Sequence, residues 1–138
     1  MKILIIEDNT LKAQDVKRCL EEHYPDVTID TAAAYASGVR KAYRNNYDAV
    51  IIDNSLPYYE REPYDIQPDM AEIILEEFSD LEIEPKTIIC SAFEPGEKEE
   101  YFKKVVSRKD FCIGYIRYDG TSSDWETELI DLIEEANH

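Results

Sequence analysis

Glycine is scarce in this chain, four residues in 138, so no glycine-rich loop is available to cradle a nucleotide phosphate. Cysteine is scarcer still. Cys19, Cys90 and Cys112 are odd in number and lack metal-ligand spacing, which excludes a disulfide framework or a thiolate metal centre and leaves small buried hydrophobes in a reducing compartment. Positive charge is in short supply: 15 Lys and Arg stand against 31 Asp and Glu, a net charge of −16. Such a surface repels nucleic acid and anionic lipid, so neither is expected as a partner. No apolar run approaches the ~18 residues of a membrane span, and Met1-Lys2 leads straight into a strand pattern in place of a signal peptide. The expected location is cytoplasmic.

What is present is an alternation. Short apolar runs and segments of helical period follow one another five times, the sequence form of an α/β doubly wound parallel sheet in a single domain over residues 1–138. Strands are predicted near 2–7, 27–31, 48–53, 87–91 and 111–117. The helical stripes between them are Ala13, Val16 and Leu20; Ala36, Val39 and Tyr43; Met70, Ile73, Ile74 and Phe78; and Tyr101, Phe102, Val105 and Val106. The last helix should open with a capping box, Ser123 with Glu126, and carry Trp125, Leu129, Leu132 and Ile133 on one face. One stretch fits neither period. Between Pro57 and Pro68 lie Pro63 and the tyrosines 58, 59 and 64, a long loop after the third strand that reads either as a tolerated insertion or as a lid or docking surface.

Glu7 and Asp8 follow the first apolar strand, and Asp53 follows the third. In a parallel sheet these ends share one edge, where ligands of such folds bind. Taken singly, Asp8 reads as a helix N-cap and Asp53 as a turn residue. Taken together, three converging carboxylates repel one another unless a divalent cation or a raised pKa relieves them. The chain therefore reads as a Mg²⁺ site facing an anion.

The order of motifs resembles the receiver domain of two-component response regulators, nearly end to end apart from the 58–68 loop. Glu7-Asp8 resembles that family's acidic pair, and Asp53 in Asp53-Asn54-Ser55-Leu56-Pro57 its phosphoacceptor. Ser91-Ala92 resembles the hydroxyl and small residue ending the fourth strand, and Gly114-Tyr115 the glycine and switch aromatic of the fifth. The resemblance implies a flavodoxin-like five-stranded sheet, order 2-1-3-4-5, with five helices. It implies Mg²⁺ bound by Asp8, Asp53 and the Ser55 carbonyl, with Glu7 acting through water. It also implies a histidine kinase or phosphotransfer protein upstream and a protein target downstream, with homodimerisation open. On this reading Ser91 donates to the phosphoryl group and Tyr115 rotates into the space Ser91 vacates, in a switch of packing. Phe93 and Ser55 stand near the site. No sequence follows the fifth helix, so a stand-alone domain without its own output module is expected.

One departure is conspicuous. Receivers carry a lysine four residues after the fifth-strand glycine, and here that register holds Tyr118, followed by Asp119. Arg117 is one position early, on the wrong face of a strand unless a bulge at Gly114 or Gly120 re-aims it. Three readings follow: a phosphoaccepting receiver with altered signalling, a degenerate receiver that binds a partner regardless of phosphate, and a Mg²⁺-dependent phosphohydrolase. The last is disfavoured because Ser55 stands where such an enzyme needs its second acid.

Overall fold

Ile3, Leu4, Ile5 and Ile6 are all shielded from solvent, which requires a central strand covered on both faces. In the computed structural model, which describes residues 1–137 and leaves His138 outside the described residues, this strand is β1 (Lys2–Ile6). It is followed by α1 (Thr10–His23), β2 (Thr28–Ala32), α2 (Tyr35–Arg44) and β3 (Ala49–Ile52). Then come a short ladder of β4 (Leu56–Pro57) and β5 (Ile66–Gln67), α3 (Met70–Asp80), β6 (Thr87–Ser91), α4 (Glu99–Ser107), β7 (Cys112–Arg117) and α5 (Asp124–Ala136). The main sheet is parallel in the order β2-β1-β3-β6-β7. Counting only its own five strands, that is the predicted order 2-1-3-4-5. No helix of the described residues is long and apolar enough to cross a membrane.

Alternate residues of the strands serve two cores. Leu4, Ile6, Val50, Ile52 and Ile89 pack under α2, α3 and α4. Ile3, Ile5, Ala49, Ile51, Ile88 and Cys90 pack under α1 and α5, with Trp125 among them. The central strands β1, β3 and β6 are thus apolar on both sides, as continuous runs of isoleucine and valine demand.

Several expected stripes shift. Tyr43 is exposed, and α2 buries Gly38, Val39 and Ala42, because a backbone without Cβ at Gly38 lets the helix settle onto Ile6. Ile73 is on the exposed side of α3, where Ala71, Ile74 and Leu75 face inward. The capping box does not form: the Ser123 side chain makes no cap bond, Ser122 Oγ accepts from the Asp124 N–H, and Glu126 is drawn to Arg18 of α1 at 3.1 Å. β7 contains a bulge, since Thr87 pairs with Cys112 and Ile88 with Gly114. It lies at the entry of the strand, and the register then runs regularly to Ser91 opposite Arg117.

Candidate phosphoacceptor and cation site

Ile6 and Ile52 are register partners, so the residues after them leave the sheet side by side. The Asp53 N–H donates to the Ile6 carbonyl at 3.1 Å and the Glu7 N–H to the Ala32 carbonyl at 2.9 Å, extending both strands by one bond. Carboxylate oxygens of Glu7, Asp8 and Asp53 lie within 4.8 Å of one another. Glu7 and Asp53 are buried and Asp8 half-buried. Burial first, and the Asp53 charge second, push the Glu7 carboxyl up to about 8, against the opposing pull of Lys12 and the Asn9 N–H.

Lys12 is the residue that sequence reasoning missed. It sits in the first turn of α1, only 7% exposed, with its Nζ 2.6 Å from Glu7 Oε1 and 3.2 Å from Asp53 Oδ1. Nζ also donates to the Cys90 carbonyl at 2.6 Å. An ammonium has three protons, and all three are matched. Burial alone would lower its pKa, but the negative groups facing it, Asp53 foremost, raise it above the ordinary value, so it stays charged. The family's lysine register on the fifth strand holds Tyr118; the cation beside Asp53 comes from a helix instead. A signal existed: the buried stripe of α1 is Lys12, Val16, Cys19 and Leu20, and a lysine four residues ahead of a core valine is on the core face.

Asp53 divides its two oxygens. Oδ1 accepts from Lys12 Nζ and from the Asn54 N–H at 2.8 Å, while Oδ2 accepts no hydrogen bond among the described residues. Asp8 is likewise without an intramolecular partner there. An all-oxygen cluster with these atoms uncommitted fits Mg²⁺, a hard cation that takes one or two carboxylates and retains water. Ser55 is exposed at the start of the connection that leaves β3.

Beside the carboxylates opens a cleft of about 680 Å³, lined by Asn54, Ser55, Ser91, Lys98, Arg117 and Tyr118 among others. Ser91 is buried at its floor. Arg117, opposite Ser91, is 3.8 Å from Asp119 and makes no ion pair with Glu7, Asp8 or Asp53. The β7 bulge does not turn it towards them. Tyr118 points to the other side of the sheet, its ring 5.6 Å from Lys12 Nζ and its hydroxyl donating to Asp15 at 2.8 Å. The Tyr115 ring stacks on Phe102 at 5.6 Å and lies 6.4 Å from Phe93, with its hydroxyl donating to Glu99. That bond, then burial, pushes its phenol up to about 12.

The long connection after β3 closes on itself. Asn54 receives the Met70 N–H on its carbonyl and the Ala71 N–H on its side chain, 3.0 and 3.1 Å, so the residue next to Asp53 clamps the start of α3. Leu56 pairs with Gln67 and Pro57 with Ile66, leaving 58–65 as a flap. Glu60 then accepts from the Ala33 N–H and Ser37 Oγ. Tyr58 takes the Ala36 N–H on its carbonyl and sets its ring edge-on to Tyr35 at 6.0 Å. The flap is thus pinned to the start of α2, and Tyr64 at its tip is 96% exposed.

No protein-family model matches the chain. Across its length it is similar to the Detocs response regulatory protein DtcB of Enterobacter cloacae, 25% identical over 149 residues that cover 98% of this chain and 99% of that one. Among solved structures it resembles a DNA-binding response regulator of the LuxR family from Staphylococcus aureus, TM-score 0.74 at 20% identity, covering 99% of this chain and 98% of that chain. It also resembles the receiver domain of Francisella response regulator 1452, TM-score 0.69 at 23% identity, with 98% and 94% covered.

Proposed function

From the premise that this chain is a receiver domain of the response-regulator type, we propose that it accepts a phosphoryl group on Asp53 and switches a protein-interaction surface. The observation that carries this reading is the convergence of Glu7, Asp8 and Asp53 within 4.8 Å, with Asp53 held through one oxygen and free at the other. A lone pair of Asp53 Oδ2 attacks phosphorus. The bond from phosphorus to the donor breaks, its electron pair leaving with the donor, a histidine imidazole that takes up a proton or a carboxylate that needs none. Asp8 and Asp53, with Glu7 and the Ser55 carbonyl beside them, would hold Mg²⁺, which when bound would neutralise charge on the phosphoryl oxygens.

The chain's own residues do the rest. The clamp of Asn54 on α3 and the strand bonds of Asp53 hold the carboxylate in one orientation. Ser91, at the floor of the cleft, donates its hydroxyl to a phosphoryl oxygen. Tyr115, hinged between Phe102 and Glu99, changes partner when Ser91 moves, altering the α4–β7–α5 face. A histidine kinase or phosphotransfer protein is the donor, and a protein that reads this face is the target.

Incubation with Mg²⁺ and acetyl phosphate, followed by intact mass measurement of wild type and Asp53→Asn, tests the reading. One added phosphoryl mass on wild type and none on the variant is expected. A second reading, a binding module indifferent to phosphate, draws support from Lys12, whose charge offsets two of the carboxylates without any metal. Absence of added mass from both acetyl phosphate and a histidine-phosphorylated donor, with a partner still bound, would favour it.

A further inference from the structure

We propose that Lys12 is the cation of this phosphoryl switch, moved from the end of the last sheet strand to the first turn of α1, and that α1 follows the charge state of Asp53. The proposal rests on Asp53 being the phosphoacceptor.

Three observations carry it. Lys12 is the ammonium in direct contact with Asp53 Oδ1, whereas the guanidinium of Arg117 is turned to Asp119. The place on the strand extension where a lysine would arise is filled by Tyr118, whose backbone still bonds to the Ser91 carbonyl at 2.9 Å and whose ring lies against Lys12. The two residues are therefore neighbours, and an ammonium at 118 would stand beside the like charge of Lys12. Finally, Lys12 is not isolated on its helix. Tyr118 Oη is bonded to Asp15, Asp15 to Arg18 at 2.7 Å, and Arg18 to Glu126 of α5 at 3.1 Å, so a polar chain runs from beside the ammonium to the α1–α5 contact.

The charge change supplies the driving force. Converting Asp53 to the acyl phosphate removes the full negative charge from the carboxylate that Lys12 holds and places about −1.5 to −2 on phosphoryl oxygens beyond it. A charged donor follows the stronger acceptors. Its bond to the Cys90 carbonyl and its contact with Tyr118 are the ones that must alter. Because Lys12 is part of the first helical turn, the displacement is delivered to α1, where a strand lysine would deliver it to the loop after β7.

The experiment compares wild type, Lys12→Met and Lys12→Met/Tyr118→Lys, with folding checked by thermal melts in Mg²⁺. Phosphoryl incorporation from acetyl phosphate is followed by intact mass, and amide exchange of residues 10–23 is measured with and without beryllofluoride. Loss of the cation should slow incorporation about tenfold or more, and lysine returned to position 118 should recover most of it. Exchange in α1 should change with beryllofluoride in wild type and not in Lys12→Met. Equal rates in wild type and folded Lys12→Met, or no recovery in the folded double variant, would overturn the proposal. So would unchanged α1 exchange in phosphorylatable wild type, a readout that survives if Lys12→Met does not fold. If wild type itself takes up no phosphoryl group from any donor, the phosphoacceptor reading falls first and this proposal with it.

Discussion

Tyr118 meets two successive turns of α1: its ring is 5.6 Å from the Lys12 ammonium and its hydroxyl 2.8 Å from the Asp15 carboxylate. The same ring lies 5.1 Å from Trp125 of α5. The ring, more than the hydroxyl, therefore joins helix, strand and helix. Tyr118→Phe should lose about 1 kcal/mol, one hydrogen bond to a charged group at a half-exposed position, and Tyr118→Ala about 2 to 3 kcal/mol as aromatic packing and the cation–π contact go as well. Urea midpoints of the two variants check the order; an equal loss in both would mean the hydroxyl dominates.

Lys12→Met should make stability depend on magnesium. Removing one partner of a buried ion pair leaves the others uncompensated, typically at about 3 to 5 kcal/mol, and here two carboxylates, Glu7 and Asp53, lose their contact at once. The variant should unfold at clearly lower urea than wild type in EDTA and recover much of the difference in millimolar Mg²⁺. Its Mg²⁺ affinity should rise by about tenfold, since a positive charge beside the cation has gone. Urea melts with and without metal, and calorimetric Mg²⁺ titration, measure both effects.

The sheet was legible because its strands are runs of isoleucine and valine long enough to be buried on two faces, and the acidic cluster followed from where two such runs end. Helix faces were less so. Tyr43 and Ile73 fit an apolar stripe as well as Gly38 and Ala71 do, and only close approach to Ile6 makes glycine the inward residue. Glu126 has the spacing of a capping box, yet Arg18, 108 residues away along the chain, is the stronger partner. Lys12 was overlooked for a related reason. Its charge reads as surface, and nothing local shows that three acceptors from Glu7, Asp53 and Cys90 meet at one point in the interior.

Gly38→Ala tests how tightly α2 is seated. A Cβ there would stand 2.6 Å from Ile6 Cδ1 and 2.8 Å from its Cγ2, a clash with a strand that cannot retreat because it is bonded on both sides. A loss of about 1 to 3 kcal/mol is expected from overpacking, despite the better helix propensity of alanine. Ile6→Val in the same chain should recover part of it. Thermal melts of the two single variants and the double variant give the coupling directly.

Alkaline pH should weaken the fold through its phenols. Tyr115 is pushed up to about 12 by its bond to Glu99 and by burial. Tyr118 is pushed to about 12 by burial and its bond to Asp15. In the unfolded chain both ionise near the ordinary value of about 10. Between these limits the unfolded state sheds protons that the folded state keeps, so stability falls as pH rises from about 10 towards 12. Urea midpoints across that range should decline less steeply in a Tyr115→Phe/Tyr118→Phe variant, and phenolate absorbance should show two late-titrating groups fewer.

Glu60 decides whether the flap behaves as part of the domain. Its carboxylate takes the Ala33 N–H at 3.1 Å and Ser37 Oγ at 3.0 Å, tying the flap to the residues on either side of Ala34 at the start of α2. It is held below the usual carboxylate range by those two bonds. It also borders the same cleft as Glu7 and Asp8, so releasing it opens one side of the acidic site. Glu60→Ala should cost about 1 kcal/mol through the loss of its exposed hydrogen bonds, and should expose the Arg61 bond to limited trypsin cleavage at a rate well above wild type. Glu60→Gln keeps both acceptor contacts through its carbonyl oxygen, so it should stay near wild type in cleavage. If Gln and Ala are cut equally fast, the contact depends on charge; if neither is cut faster than wild type, the two-residue ladder of Leu56–Pro57 with Ile66–Gln67 and the stacking of Tyr58 on Tyr35 hold the flap without it.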